Sequence, residues 1–178
     1  MKVMYYIAIL PPSTVREEIR VFKEEVRSRF QSQHALRSPA HITLQMPFHF
    51  EEMKETALIR ALTALSATLT PAYCELKNFD HFGDRVIFVD VVPNPALTAY
   101  RKQLQEMLRT SFGFSDSKLP ERFHPHITIA NRDLTAEKFE PCMLVFKDRS
   151  YYRSFRMEGL ALLKHRGDYW EVYREFPF

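Results

Sequence analysis

Two four-residue phrases carry side chains that could do chemistry: His41-Ile42-Thr43-Leu44 and, 85 positions later, His126-Ile127-Thr128-Ile129. In an extended strand, successive side chains point to opposite faces. Each phrase therefore sets an imidazole and a hydroxyl on one face and two aliphatic groups on the other. Two facing imidazoles suit an in-line displacement at phosphorus, where one takes a proton from the attacking oxygen and the other gives one to the leaving oxygen. An unperturbed histidine titrates near pH 6.5, so neutral and protonated imidazoles coexist near neutrality. The threonine hydroxyls can donate to the non-bridging phosphoryl oxygens, which hold the negative charge. That chemistry needs no metal and no cofactor.

A lone histidine on a strand face is ordinarily a hydrogen-bonded structural residue. The repetition is what changes the reading. With seven histidines in 178 residues, two such phrases arise by chance in roughly 0.3% of sequences of this composition.

The elements that must position the phrases follow from period and breakers. Residues 3–10 read as a strand, and after Pro11-Pro12 either Ser13 or Thr14 can cap a charged amphipathic helix to about residue 31. Residues 41–50 read as extended, with Pro47 requiring an edge strand or a bulge. A helix over 54–68 precedes a strand pair, 72–79 and 85–92, joined through His81-Phe82-Gly83-Asp84. A helix over 96–112 stops at Gly113, and 114–123 is a loop. A strand over 125–131 and a helix over 135–146 follow. Residues 151–165 and 169–176 close the chain as a hairpin turning at Arg166-Gly167-Asp168. Each phrase thus has one helix before it and one after. This order predicts one domain, 1–178, made of two similar lobes, each lending one strand to a shared cleft.

Composition sets the bounds. At 46% hydrophobic with 15 Phe, 8 Tyr and 7 Met, the chain has ample material for a packed interior. A net charge of +3 is compatible with an anionic ligand and falls short of the dense basic stripe of tight duplex binders. Cys74 and Cys142 make no metal or redox motif and read as reduced interior residues of a cytoplasmic protein. The opening segment, Met1 to Leu10, reads as a first strand and not as a targeting signal. No run approaches a membrane span, so no membrane association is expected, and monomer is the default.

The twin His-apolar-Thr-apolar phrases, their spacing and the chain length resemble the 2H phosphoesterase superfamily, most closely its 2'-5' RNA ligase and RNA 2',3'-cyclic phosphodiesterase branch. The segment VMYYIAILPP looks like that family's opening strand and LALLKHRGDYWEVYREFPF like its closing hairpin. The resemblance implies an α+β fold, bilobal about a pseudo-two-fold axis, with two antiparallel sheets lining a central cleft and helices outside. It also implies metal-independent hydrolysis of 2',3'-cyclic phosphates of nucleotides or RNA ends, typically to 2'-phosphates. His41 and His126 would be the acid–base pair, and Thr43 and Thr128 would hold the phosphoryl oxygens. The motif leaves open which histidine is the base; the sequence-based assignment has His126 activating water and His41 protonating the leaving oxygen. Alternatives are 2'-5' ligation through the same residues, and a nucleotide- or RNA-binding module that turns nothing over.

Further candidates are weaker. Relatives carry an arginine just past the second phrase, and Arg132 lies one position beyond that place; strand parity would set it on the His126 face. Gln45 shares the parity of His41 and Thr43. Tyr6, Phe48, Tyr151, Tyr152 and Trp170 could stack on a base, although most aromatics must be core. Lys164, His165 and Arg166 could form a basic rim. His124 could join His126 and His41 in a zinc site, a reading set aside for want of supporting ligands.

Overall fold

A computed structural model describes residues 1–115 and 122–178. The loop expected over 114–123 therefore falls partly outside the described residues. Eight strands and four α-helices are present among them: β1 (Lys2–Ile9), α1 (Ser13–Phe30), β2 (Ile42–Glu51), α2 (Glu55–Ser66), β3 (Ala72–Phe82), β4 (Val86–Val91), α3 (Pro95–Phe112), β5 (His126–Ala130), α4 (Ala136–Phe146), β6 (Tyr152–Met157), β7 (Gly159–His165) and β8 (Trp170–Pro177). A short 3-10 turn, His34–Arg37, lies between α1 and β2.

The strands form two four-stranded antiparallel sheets, ordered β2-β1-β7-β8 and β5-β4-β3-β6. The two phrases sit on β2 and β5, each an edge strand of its own sheet. Pro47 is tolerated on β2 because an edge strand needs only one ladder of hydrogen bonds. Register is held by burial: Ile42, Leu44, Ile127 and Ile129 are at most 2% exposed. Slipping either strand by one residue would turn those side chains out of the core, forfeiting about 1.5–3 kcal/mol for each.

The helices exchange partners. α1 follows β1 of the first sheet but packs on β5 and α4, while α3 follows β4 of the second sheet but packs on β2 and α2. Bidentate pairing of Arg149 with Glu25, at 2.7 Å for both bonds, fastens α1 to the segment entering β6. The buried stripe of α1 is Val15, Ile19, Lys23, Val26 and Phe30, a helical period with a lysine at its centre.

Three local expectations are corrected. α1 has no side-chain cap: Pro12 is its N-cap and Ser13 is already helical. The long arm of the closing hairpin is two strands, not one: β6 pairs with β3 in the second sheet and β7 with β1 in the first, so the chain changes sheets at Glu158. Gly159 makes that change possible, since a Cβ there would come within 2.7 Å of the Phe176 carbonyl oxygen. The β5 strand ends at Ala130, short of residue 131. Other expectations hold: Gly113 closes α3 in the left-handed conformation at φ 69°, and both cysteines are free and buried. Among the described residues, no helix is long and apolar enough to cross a membrane.

Candidate active site

Both edge strands border one cleft of about 420 Å³, lined among others by Tyr6, Lys23, His41, Thr43, Thr128 and Arg132. His41 immediately precedes β2, and His126 is the first residue of β5, two positions before Thr128 on the same face. Their aliphatic neighbours in sequence point the other way, into the core.

The two imidazoles are held identically. His41 Nδ1 lies 2.7 Å from the carbonyl oxygen of Pro39, and His126 Nδ1 lies 2.8 Å from that of His124. A carbonyl can only accept, so in both rings Nδ1 carries hydrogen and donates it to the residue two positions back. Nε2 is then the free lone pair of each neutral ring. The Tyr6 hydroxyl, 3.2 Å from His41 Nδ1, meets an N–H already committed, and its oxygen is at most a second acceptor.

The surroundings differ. His41 lies against the Tyr6 ring, 4.7 Å between centroids, and Trp170 packs edge-on to Tyr6 at 4.6 Å. Burial, with the positive charges of Lys23 and His126, pushes the His41 imidazole down to about 4, against the pull of the Pro39 carbonyl. His126 packs against the contacting rings of Phe82 and Phe88, at 4.8 and 5.0 Å. Burial lowers it too, but the His124 carbonyl and the Asp90 carboxylate pull upward.

Sequence reasoning overlooked Lys23. It is 3% exposed, its ammonium donates to the Ser38 carbonyl at 2.9 Å, and burial lowers it to about 8. The signal was available, because Lys23 occupies the apolar stripe of α1 four residues after Ile19. Asp133 was overlooked as well. Just past β5, its carboxylate accepts from Ser32 Oγ at 2.6 Å and from the backbone N–H groups of Gln33 and His34 at 2.8 and 2.9 Å. Those bonds outweigh burial and hold the carboxyl below its usual range. His34 in turn donates to Asn131 Oδ1 at 3.1 Å. The segment leading to His41 is thus tied to the segment leaving β5.

The other candidates divide. Arg132 lines the cleft, but strand parity does not put it there: past the end of β5 it occupies a turn with φ 34°, an uncommon conformation for a side chain of that size. Tyr6 lines the cleft with its ring against His41, 3% exposed, which leaves no open face for a base. Gln45 is half-buried on β2 and its side chain, among the described residues, bonds only the neighbouring Met46 carbonyl, at 3.4 Å. Phe48 belongs to the core, against Tyr5 and Phe114. Tyr152 is on β6, the far edge of the second sheet, where it donates to Glu75. Tyr151 donates to Glu18 of α1 and packs on Phe22. Of the proposed rim, only His165 lines the cleft; Lys164 is buried between Glu55 and Glu52, and Arg166 pairs with Glu171. His124 is turned to Asp90, 3.0 Å away.

Known proteins share this fold. The family model of the 2'-5' RNA ligase superfamily matches residues 11–169. A Geobacillus kaustophilus protein provisionally named a phosphoesterase is 28% identical over 175 residues, covering 97% of this chain and 94% of its own. Among crystal structures, TT0787 of Thermus thermophilus has a TM-score of 0.70 at 19% identity, covering 98% of this chain and 97% of its own. LigT of E. coli in complex with 3'-AMP has a TM-score of 0.66 at 19% identity, covering 100% and 99%. These two likenesses show the shared fold.

Proposed function

The chain belongs to the 2'-5' RNA ligase superfamily, the 2H phosphoesterases, and on that premise we propose that it hydrolyses 2',3'-cyclic phosphates of nucleotides or RNA ends to 2'-phosphates without a metal. The observation that carries the reading is the paired Nδ1–H to carbonyl bond, which leaves Nε2 of both His41 and His126 as the free lone pair, with His41, Thr43 and Thr128 lining the cleft and His126 close enough to act on His41 electrostatically. LigT in complex with 3'-AMP, with NADP+ and with ATP supports a nucleotide as occupant.

In this mechanism His41 is the base and His126 the acid, the reverse of the sequence-based assignment. The more strongly depressed imidazole, His41, is neutral through most of the pH range and takes a proton on Nε2 from the attacking water. The water oxygen bonds to phosphorus as the bond from phosphorus to the ribose 3' oxygen breaks. Protonated His126 gives its Nε2 proton to that 3' oxygen, with Asp90 supporting its positive charge. The products are a 2'-phosphomonoester and a 3'-hydroxyl. Thr43 and Thr128 donate to the non-bridging oxygens, and Arg132 offsets their charge. The same displacement with a ribose 5'-hydroxyl in place of water, the bond from phosphorus to the 3' oxygen breaking as before, would be 2'-5' ligation.

Phosphorus NMR of 2',3'-cyclic nucleotides incubated with the protein in EDTA tests the reading. A 2'-phosphate resonance is expected with the wild type and none with His41→Ala/His126→Ala. Equal product from both proteins, or a 3'-phosphate, would overturn it.

A further inference from the structure

Two lysines are buried among the described residues, Lys23 at 3% exposed and Lys164 at 4%, and their surroundings are opposite. Lys164 meets Glu55 at 2.6 Å and Glu52 at 3.2 Å; burial pulls its amine down, but those bonds outweigh burial and drive it above the usual lysine range. Lys23 enters none of the ion pairs among the described residues, and its one hydrogen bond there goes to the Ser38 carbonyl. An ammonium has three N–H donors, so two are left over. A buried cation without a counter-charge is costly to keep, unless a ligand supplies the charge. We propose that Lys23 is a further catalytic residue, whose ammonium donates to a non-bridging oxygen of the reacting phosphate on the His41 side of the cleft. The inference rests on the phosphodiesterase reading of that cleft.

The geometry is local. Lys23 lines the same cleft as His41, Thr43 and Thr128. The adjacent residues Ser38 and Pro39 offer their carbonyls to Lys23 Nζ at 2.9 Å and to His41 Nδ1 at 2.7 Å. One short stretch thus grips both groups, close enough that the lysine's charge adds to burial in lowering the imidazole. The other titratable or charged side chains lining the cleft are Tyr6 on β1, His34 and Arg37 on the 3-10 turn, Arg132 after β5 and His165 on β7. None is a carboxylate. On the α1 side Lys23 shares a second groove with Glu17, Glu24 and Asp168. None of the three pairs with it, and Glu24 is taken by Arg20 and Arg27.

The chemistry needs such a charge. The cyclic diester carries one negative charge and the product monoester up to two, and the increase develops as water attacks. A fixed cation in a cleft stabilises that developing charge most. Arg132 offsets it from the β5 side, and Lys23 does so from the β2 side, donating hydrogen bonds and transferring no proton.

Sulfate is the probe, because its charge stays constant over the pH range used. The chain's one tryptophan, Trp170, lines the cleft with Lys23 and reports binding by its fluorescence. Burial lowers the Lys23 amine to about 8, and the protonated form is the one that holds an anion. Wild-type affinity for sulfate should therefore fall about tenfold between pH 7 and pH 9.5. Burial keeps His34, His41, His126 and Tyr6 neutral across that interval. Lys23→Met should bind at least about tenfold more weakly at pH 7 and show no such fall. Lys23→Arg, charged throughout, should restore binding and stay flat. With a cyclic nucleotide near the pH optimum, Lys23→Met should lower kcat about 10²-fold, and Lys23→Arg should recover about tenfold of that loss. A role in folding alone predicts a lower Tm for Lys23→Met with sulfate affinity, its pH dependence and kcat as in the wild type, and that result would overturn the proposal. So would wild-type affinity that is flat from pH 7 to 9.5, or a fall that survives in Lys23→Arg and so belongs to another group such as His165. If the wild type turns over no cyclic phosphate, the catalytic reading fails alone, and the sulfate titrations still decide whether Lys23 holds the anion.

Discussion

His41 and His126 open the same four-residue phrase, donate from the same ring nitrogen to the same relative carbonyl, and stand at the start of edge strands in different sheets. Their neighbours are not the same. The His41 ring is backed by Tyr6 and exposed to the charge of the buried Lys23, while the His126 ring is packed against Phe82 and Phe88 with Asp90 within electrostatic reach. Two copies of one motif thus acquire unequal basicity from residues outside the motif. A chain that needs one base and one acid in the same cleft can obtain both from a single local design by changing what packs behind it.

The comparison can be broken most severely by removing either ring. His41→Ala and His126→Ala should each lower kcat by about 10²–10⁴, and single-turnover rates on a cyclic nucleotide would measure the loss. Deleting the hydroxyls asks whether the two halves also share the phosphate: Thr43→Val and Thr128→Val should each cost about 10²-fold in kcat, with comparable losses if both hydroxyls donate.

The pH profile sharpens the contrast. A base must be unprotonated, so activity rises with pH through the His41 value near 4. An acid must be protonated, so activity falls as pH passes the His126 value, which lies below the usual 6.5. The kcat/KM profile of the free enzyme should therefore be a bell with its optimum on the acid side of 6.5. Lys23→Met removes a positive charge that depresses His41, so the acid limb should move up in pH. Asp90→Asn removes the carboxylate that raises His126, so the alkaline limb should move down. If Lys23→Met moved only the alkaline limb, the assignment of base and acid would have to be exchanged. The smallest effect is expected from Tyr6→Phe, a few-fold in kcat, because Pro39 already fixes the His41 tautomer.

What could be read from the sequence was whatever depends on local period. The parity of β2 and β5, the stop at Gly113 and the edge position of Pro47 follow from rules a few residues long. The crossing of α1 and α3 to the opposite sheets does not, because amphipathicity says which face of a helix is buried and not against what. The same limit hid the change of sheet at Glu158, which appears in sequence as one uninterrupted arm. In the cleft, the shared face of His41 and Thr43 was legible, whereas Tyr6, 35 residues away, was a base-stacking candidate until its ring was found against the imidazole. Arg132 was assigned to the cleft by continuing a strand that stops two residues earlier; a left-handed turn brings it there instead. Lys23 is the instructive omission, since a lysine in an apolar stripe must be paired, or kept near something that needs its charge.

Asp133 spans about a hundred residues of sequence to hold the backbone of Gln33 and His34. Those two amide hydrogens are bonded neither within a helix nor along a strand, but to a carboxylate carried by the opposite half of the cleft. They are protected from exchange with solvent deuterium while that carboxylate holds them, so their exchange rates give a lower bound on how often the contact breaks.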